Sequence, residues 1–296
     1  MELRDIEIFL TLAEELHFGR TAARLHVSPA RISQAIKKQE RRVGADLFER
    51  SSRKVVLTPI GKQLYDDLRP VHRELQQSLD RATNAARGKT ARLRVGMLST
   101  NQNDLKPLFD TFTDRHPECE LRTRYMDFGD PFGPLRRDED DLAIVWLPVR
   151  EPDLTVGPVV FTEPVVLAMA PNHPLAERGW VTYEDLGDLT VMDGAKPDYW
   201  REGLVPTRTP SGRTIPIGPT VANVLEMTPL IASGEAVSPM HEHARRYYPH
   251  PQIAYVPIKD APPARWALIW RTATETDLIR AFAQAVAEVG PLALYQ

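Results

Sequence analysis

Residues 18–58 restrict what this chain can fold into more than any other stretch, because they read as helix, tight turn, helix and hairpin in immediate succession. From about Arg20 to His26, the small and apolar residues Ala22, Ala23 and Leu25 predict a short helix. Ser28 then offers its hydroxyl to an orphan backbone N–H, and Pro29 suits a first helical position where no N–H is needed. The helix they open runs to Val43 and stops at Gly44, the residue that best tolerates a left-handed cap. At about 100° per residue, Ile32, Ile36 and Val43 fall on one side. Ala30, Gln34, Lys37, Lys38 and Arg41 fall on the other, with Arg31 at the edge. Beyond Gly44, residues 47–50 and 54–57 predict two strands around a Ser-Ser-Arg turn, with Arg50, Arg53 and Lys54 at the tip.

Charge gives that exposed face a partner. Between Arg20 and Lys62 eleven Lys and Arg face three acids (Glu40, Asp46 and Glu49), whereas a merely solvated face mixes its signs. The whole chain has a net charge of −3, yet residues 1–90 hold 17 basic and 12 acidic residues and the remainder 20 and 28. A basic head on an acidic body predicts that the head alone meets nucleic acid. Arg31 and Gln34 are the expected base readers, and Arg50, Arg53 and Lys54 the expected backbone contacts.

The runs AEELHFGRTAARLHVS, ERRVG, DLFER and LTPIG resemble the N-terminal winged helix-turn-helix of the LysR-type transcriptional regulators, through about residue 87. The resemblance implies binding to double-stranded promoter DNA through Ser28, Pro29, Ala30, Arg31, Ser33, Gln34, Lys37 and Lys38, with the wing residues beside them. Two departures stand out. The second helix opens SPARIS where many members have Ser-Gln, and Gln39 occupies the apolar stripe where the family usually has Leu, which is expected to soften packing there.

Ahead of this stretch, residues 3–16 carry a supporting helical stripe of Leu3, Ile6, Phe9, Leu10 and Ala13. Behind it, Thr58-Pro59 opens a long helix to about Arg87, with Ile60, Leu64, Leu68, Val71, Leu75, Leu79, Ala82 and Ala86 recurring every 3.7 residues or so. Such a stripe needs a partner. The resemblance makes that partner a second copy, antiparallel, in a homodimer or a tetramer built from two dimers. Pro70 is expected to kink this helix or weaken its hydrogen bonding, and residues 87–90 to act as a hinge.

From Leu93 the apolar period shortens, and strand-like and helical runs alternate, predicting an α/β sheet of parallel strands. Near Phe161 the chain is expected to enter a second lobe, opened by the strand VVLAMA, and ARWALIWR and a helix at 275–289 to return to the first. DLAIVWLP, NHPLA and this two-lobed pattern resemble the family's effector-binding domain, which is periplasmic-binding-protein-like. The expected domains are 1–58 (winged helix-turn-helix), 59–90 (linker helix and hinge) and 91–296 (effector domain). Lobe I would take about 91–161 and 266–296, and lobe II about 162–265.

Ligands of open α/β sheets bind beyond the carboxyl ends of the strands. That rule selects Ser99 and Thr100, Phe128, then Trp146 and Leu147, with Phe161 at the crossing and Asp193, Asn223 and the Val237-Ser238-Pro239 segment facing them. Ser99 and Thr100 would lie near a helix start that favours a carboxylate, and the resemblance implies a small metabolite acting as inducer. Taken singly, Phe128 and Trp146 read equally well as core, and the loop polars as solvated.

Other constellations point away from catalysis. His241-x-His243 on a helix would face two ways, so no metal site is expected, and residues 138–141 (DEDD) read as a solvated loop. No Gly-rich phosphate loop, nucleophile elbow or HExxH is present, so neither catalytic residues nor a cofactor are expected. Cys119 stands alone, as a small packing residue. No apolar run approaches the roughly 20 residues of a membrane span. The start MELRDIEIFL lacks signal-peptide character, which predicts a cytoplasmic protein. A competing reading is a small-molecule binding protein or enzyme with an incidental basic head. An architectural DNA protein would leave about 200 residues of α/β fold without a purpose.

Overall fold

The computed structural model describes residues 2–50, 55–86 and 91–294. The chain divides into two compact units, Met1–Gly88 and Lys89–Gln296. Arg53, Lys54 and the expected hinge at 87–90 lie outside the described residues, as does the side chain of Arg50.

The first unit holds helices α1 (Leu3–Glu15), α2 (Phe18–Arg24) and α3 (Pro29–Val43), a hairpin of β1 (Phe48–Arg50) and β2 (Val55–Leu57), and the long helix α4 (Pro59–Ala86). The start and stop of α3 follow local chemistry. Arg31 N donates to Ser28 Oγ at 3.2 Å, and Gly44 takes φ 83° at the C-cap. Ile32 and Ile36 are fully buried with Ile8, Phe9, Leu12 and Leu47, each such burial stabilising by roughly 1.5–3 kcal/mol. One expectation is corrected here. Val43 is 40% exposed, because the last turn of α3 passes beyond the final core position on its stripe. That position is Gln39, 1% exposed, whose Nε2 donates to Asp5 O of α1 at 2.7 Å while its Oε1 has no hydrogen-bond partner. Along α4, Leu64 and Leu68 pack on the head's core, while Val71 and Leu79 are 62% and 52% exposed. Pro70 sits inside a helix that continues past it.

The second unit begins with β3 (Ala91–Met97), α5 (Lys106–Arg115), β4 (Cys119–Tyr125), α6 (Gly133–Arg136), β5 (Leu142–Trp146) and β6 (Leu154–Glu163). After Pro164 a second lobe follows, with β7 (Val165–Met169), α7 (Pro174–Arg178), β8 (Val191–Asp193), α8 (Asp198–Glu202), β9 (Ile217–Thr220), α9 (Val224–Ala232), β10 (Ser238–His241), α10 (His243–Tyr247) and β11 (Ala254–Pro257). The chain returns through β12 (Ala264–Arg271), α11 (Asp277–Val289) and β13 (Leu292–Ala293).

Lobe I is a six-stranded sheet in the order β13-β6-β12-β5-β3-β4, and lobe II holds a sheet β10-β7-β11 and a pair β8-β9. Strand β3 runs parallel to β4 and β5, but β12 is antiparallel to β5 and β6. The sheet is therefore mixed, not all-parallel. Strand β6 has no counterpart in the sequence reading, because Gly157-Pro158 interrupts its alternation. The fold explains the glycine: a Cβ there would lie 2.4 Å from Trp270 Cζ3. The register against β12 also shifts between Ala267 and Ile269, beside this interruption.

Three further expectations change. His241 ends β10 and His243 opens α10, so these residues do not share a helix. The acidic run at 138–141 is not simply solvated. Asp140, 3% exposed, receives Arg124 at 2.8 and 3.1 Å. Asp141 receives Arg94 at 2.6 Å and Asp138 receives Arg271 at 3.0 Å. Trp200, within the span expected for lobe II, is fully buried in the core of lobe I.

Candidate functional site

Two surfaces carry the chemistry. On the head, Ser28, Pro29, Ala30, Arg31, Gln34 and Lys37 are exposed along one side of α3, and Ser33 is half-buried. Lys38 is drawn the other way. Its Nζ lies 3.0 Å from buried Asp5 Oδ2 and 3.6 Å from Glu2, and the hydrogen bond and charge of Asp5 raise its pKa. Arg20 and Arg24 are likewise occupied by Glu14 and Glu15 at 2.9–3.2 Å. The raw charge count thus overstates how much of the head's positive charge is available. What remains points outward from α3, with a small side chain at Ala30 that lets backbone approach a groove.

In the second unit a cavity of about 80 Å³ opens between the lobes. Lobe I contributes Leu98, Phe128, Trp146 and Trp266, from the ends of β3 and β5, the loop after β4, and β12. Lobe II contributes Asp193 from β8 and Pro239 and His241 from β10, with Val224 and Met227 from α9. Helix α8 ties the two lobes together at this place. Trp200 stacks on Trp146 at 3.7 Å and 12°, and the indoles are cross-linked, Trp200 Nε1 donating to Trp146 O at 2.8 Å and Trp146 Nε1 to Trp200 O at 3.4 Å. Alongside, Lys196 N donates to Phe128 O at 3.1 Å, and Tyr199 Oη donates to Glu151 at 2.7 Å.

The walls are mostly apolar, but several buried polar atoms lack hydrogen-bond partners. They include Arg201 Nη2, His241 Nε2, Tyr248 Oη and Trp266 Nε1, all on cavity-lining residues. Arg201 Nε lies 2.6 Å from Asp193 Oδ1, which makes an ion pair, yet the two are out of line for a hydrogen bond, so both atoms still lack one. Buried groups in this condition are rare in folded proteins, and each calls for a partner such as a water, an ion or a ligand. Burial pushes the His241 imidazole down to about 3, so this ring is neutral. Behind it His243 Nδ1 and backbone N both meet Glu163 at 2.8 Å. Burial alone would raise the Glu163 carboxyl, but the hydrogen bond and charge of His243 outweigh it and hold it below its usual range.

Of the residues expected around a ligand, Phe128, Trp146, Asp193, Ser238 and Pro239 line this cavity. Ser99, Thr100, Leu147, Phe161, Asn223 and Val237 do not, and Val237 is buried in the core of lobe II. Helix α5 starts only at Lys106, after a turn closed by Asp104 N to Asn101 O at 2.9 Å, so Ser99 and Thr100 are not at a helix N-terminus. Ser99 instead accepts from Asn101 N at 3.3 Å, and Thr100 is exposed. Leu147 N donates to Arg265 O, holding β5 to the chain just before Trp266. Phe161 lies within β6, 1% exposed and stacked on Trp266 at 5.3 Å. Asn223 caps α9, accepting from Glu226 N at 3.2 Å. The sequence reading passed over Arg201, Trp266 and Tyr248, and treated His241 only as a metal ligand. No local pattern marks them, since Arg201 lies in a five-residue helix and Trp266 in a plain apolar strand. Among the described residues no cluster of three metal-ligating side chains forms.

Residues 3–62 match the family described as bacterial regulatory helix-turn-helix protein, lysR family, and residues 86–291 match the LysR substrate binding domain. The chain is 30% identical over 286 residues to the uncharacterized HTH-type transcriptional regulator YnfL of Escherichia coli (strain K12), covering 91% of this chain and 92% of that one. It is 31% identical over 197 residues to the HTH-type transcriptional regulator AlsR of Bacillus subtilis (strain 168), covering 66% and 65%. Among solved structures, full-length CbnR complexed with its target DNA superposes with a TM-score of 0.63 at 22% identity, over 98% of this chain and 100% of that one. At that identity the likeness concerns the fold.

Proposed function

The chain belongs to the LysR family of transcriptional regulators, and from that premise we propose how its own residues divide the work. Residues 1–58 form the DNA-reading head, 59–90 the dimerising linker and 91–296 the effector domain. Arg31 and Gln34 read base edges in the major groove, with Ser28, Pro29, Ala30 and Ser33 beside them. Lys37, and Arg50, Arg53 and Lys54 of the wing, meet phosphates. Lys38 takes a lesser part, because Asp5 holds it. That CbnR was crystallised with its target DNA supports double-stranded DNA as the partner.

The effector occupies the cavity between the lobes, touching Phe128, Trp146, Asp193, Arg201, His241, Trp266 and Pro239. The single observation that carries this reading is the set of buried polar atoms left without partners around an otherwise apolar space. A ligand that binds both lobes shifts their relative placement, and through two copies the spacing of the heads. The protein works in the cytoplasm; no helix among its described residues is long and apolar enough to cross a membrane. As a member of a family of transcriptional regulators it performs no catalysis.

The test is a footprint on the DNA upstream of the protein's own gene, repeated across a salt series. Binding should protect two half-sites one or more helical turns apart. Arg31→Ala should weaken it, and Lys37→Ala, which removes one phosphate contact from each of the two heads, should lower the salt slope by about 1.8. Protection that is insensitive to salt and to both substitutions would sink the assignment of α3.

A further inference from the structure

The cavity between the lobes carries an inference about what fits it, resting on the reading of that cavity as the effector site. We infer that the ligand is an uncharged, planar aromatic molecule bearing an amide or lactam group, with its carbonyl on Arg201 and its N–H on Asp193.

Arg201 is 6% exposed and its positive charge is already balanced by Asp193 at 2.6 Å. Neutral His241 adds none, and Glu163 lies directly behind the His241–His243 pair, whose rings are 5.9 Å apart. A carboxylate entering this space would lie against Asp193 with no uncompensated cation to receive it among the described residues that line the cavity. The alternative anion seat, a helix N-terminus beside Ser99 and Thr100, is not formed, because α5 begins six residues later. An acid is therefore disfavoured on both counts.

Hydrogen-bond inventory supplies the second step. Arg201 Nη2 and Trp266 Nε1 can only donate, and Asp193 Oδ1 can only accept; none has a hydrogen-bond partner. An adjacent donor and acceptor on the protein are complemented by an adjacent acceptor and donor on the ligand. That is the pattern of a carboxamide or lactam. A ketone would satisfy the donors and leave Asp193 Oδ1 unmatched, and a carboxylate would set two acceptors against it.

Shape supplies the third. Trp146 and Trp266 meet edge-to-face at 5.6 Å, with the His241 ring 4.7 Å from Trp266 and 5.0 Å from Trp146. Phe128, Val224 and Met227 complete an apolar wall. Flat faces at these angles favour a ring, held by edge and face contacts.

The experiment uses the full chain and three matched probes: benzamide, acetophenone and benzoate. Each is titrated at pH 7 while tryptophan fluorescence and the melting temperature are followed, since a ligand that binds the folded state raises the latter. Benzamide should bind tightest, acetophenone more weakly, and benzoate about tenfold or more weaker than benzamide. Val224→Trp, which fills the cavity, should abolish the response to all three. Asp193→Asn removes the opposing charge and should strengthen benzoate by about tenfold while weakening the preference for the amide. Benzoate binding more tightly than benzamide, and blocked by Val224→Trp, would overturn the inference and leave the cleft as the effector site. A benzamide-to-benzoate affinity ratio unchanged in Asp193→Asn would overturn it too. If none of the three binds, or if Val224→Trp leaves binding intact, both the inference and the cleft reading fall.

Discussion

Replacing Gln39 by Leu puts the packing of the DNA-reading helix to a quantitative test. Gln39 is 1% exposed at the interface of α3 with α1, with one donor on Asp5 O at 2.7 Å and Oε1 without a hydrogen-bond partner. An unpaired buried acceptor costs about 1–3 kcal/mol, whereas one N–H···O bond contributes roughly 0.5–1.5 kcal/mol. Asp5 O retains its ordinary role as an acceptor within α1, so removing the amide strands nothing there. Leucine also returns apolar surface to the stripe of Ile32 and Ile36, which is worth about 1 kcal/mol more. The expected result is a head stabilised by about 1–2 kcal/mol. For a unit of this size each kcal/mol raises the melting temperature by about 4–8 °C. Helical circular dichroism of the full chain during heating and in urea would measure it, with the m-value showing whether the unfolded state changed. DNA affinity should stay the same, since Gln39 lies on the side of α3 opposite Gln34 and Lys37. A fall in melting temperature at constant m-value would refute the reasoning and show that the clamp on Asp5 outweighs the orphaned oxygen.

Two further outcomes follow from the same structure. Val71→Asp with Leu79→Asp places charge on the exposed stripe of α4; sedimentation should then report monomer at micromolar concentration, and an unchanged dimer would place the interface elsewhere. Glu163 is held below the ordinary carboxylate range by His243 despite its burial. A depressed carboxylate stabilises the fold above its unfolded value of about 4.3 and loses that contribution as pH falls through the folded value. The melting temperature of the chain should therefore drop as the pH goes below about 4.3, and Glu163→Gln should flatten part of that drop. Parallel curves for the two proteins would exclude Glu163 from the acid transition.

Much of the head is readable from local chemistry, because its decisive signals act within a few residues. Ser28 and Pro29 start α3 where they stand, and Gly44 ends it with the left-handed backbone that only a glycine adopts without strain. Burial of Ile32 and Ile36 follows from the helical period, and the outward face of Arg31, Gln34 and Lys37 follows from the same geometry. The period fails at Val43, where the helix outruns its core, and it says nothing of Lys38, whose direction depends on an aspartate 33 positions earlier. The alternation of strand and helix in the second half likewise announces an α/β fold. Strand β6 escapes because Gly157 answers to Trp270, more than a hundred residues away.

The cavity belongs to the other category. Sequence rules pointed to the ends of strands, and Phe128, Trp146, Asp193 and Pro239 stand there. Arg201 comes from a short helix with no sequence mark, brought in because α8 docks its Trp200 onto Trp146, and Trp266 arrives on the returning strand β12, paired with Trp146 of β5. Local sequence determined which elements form, because caps, turns and periodicity are short-range effects. Only the tertiary structure decided the charge balance of the cavity, because that balance depends on contacts between residues far apart in the chain, which no single stretch encodes.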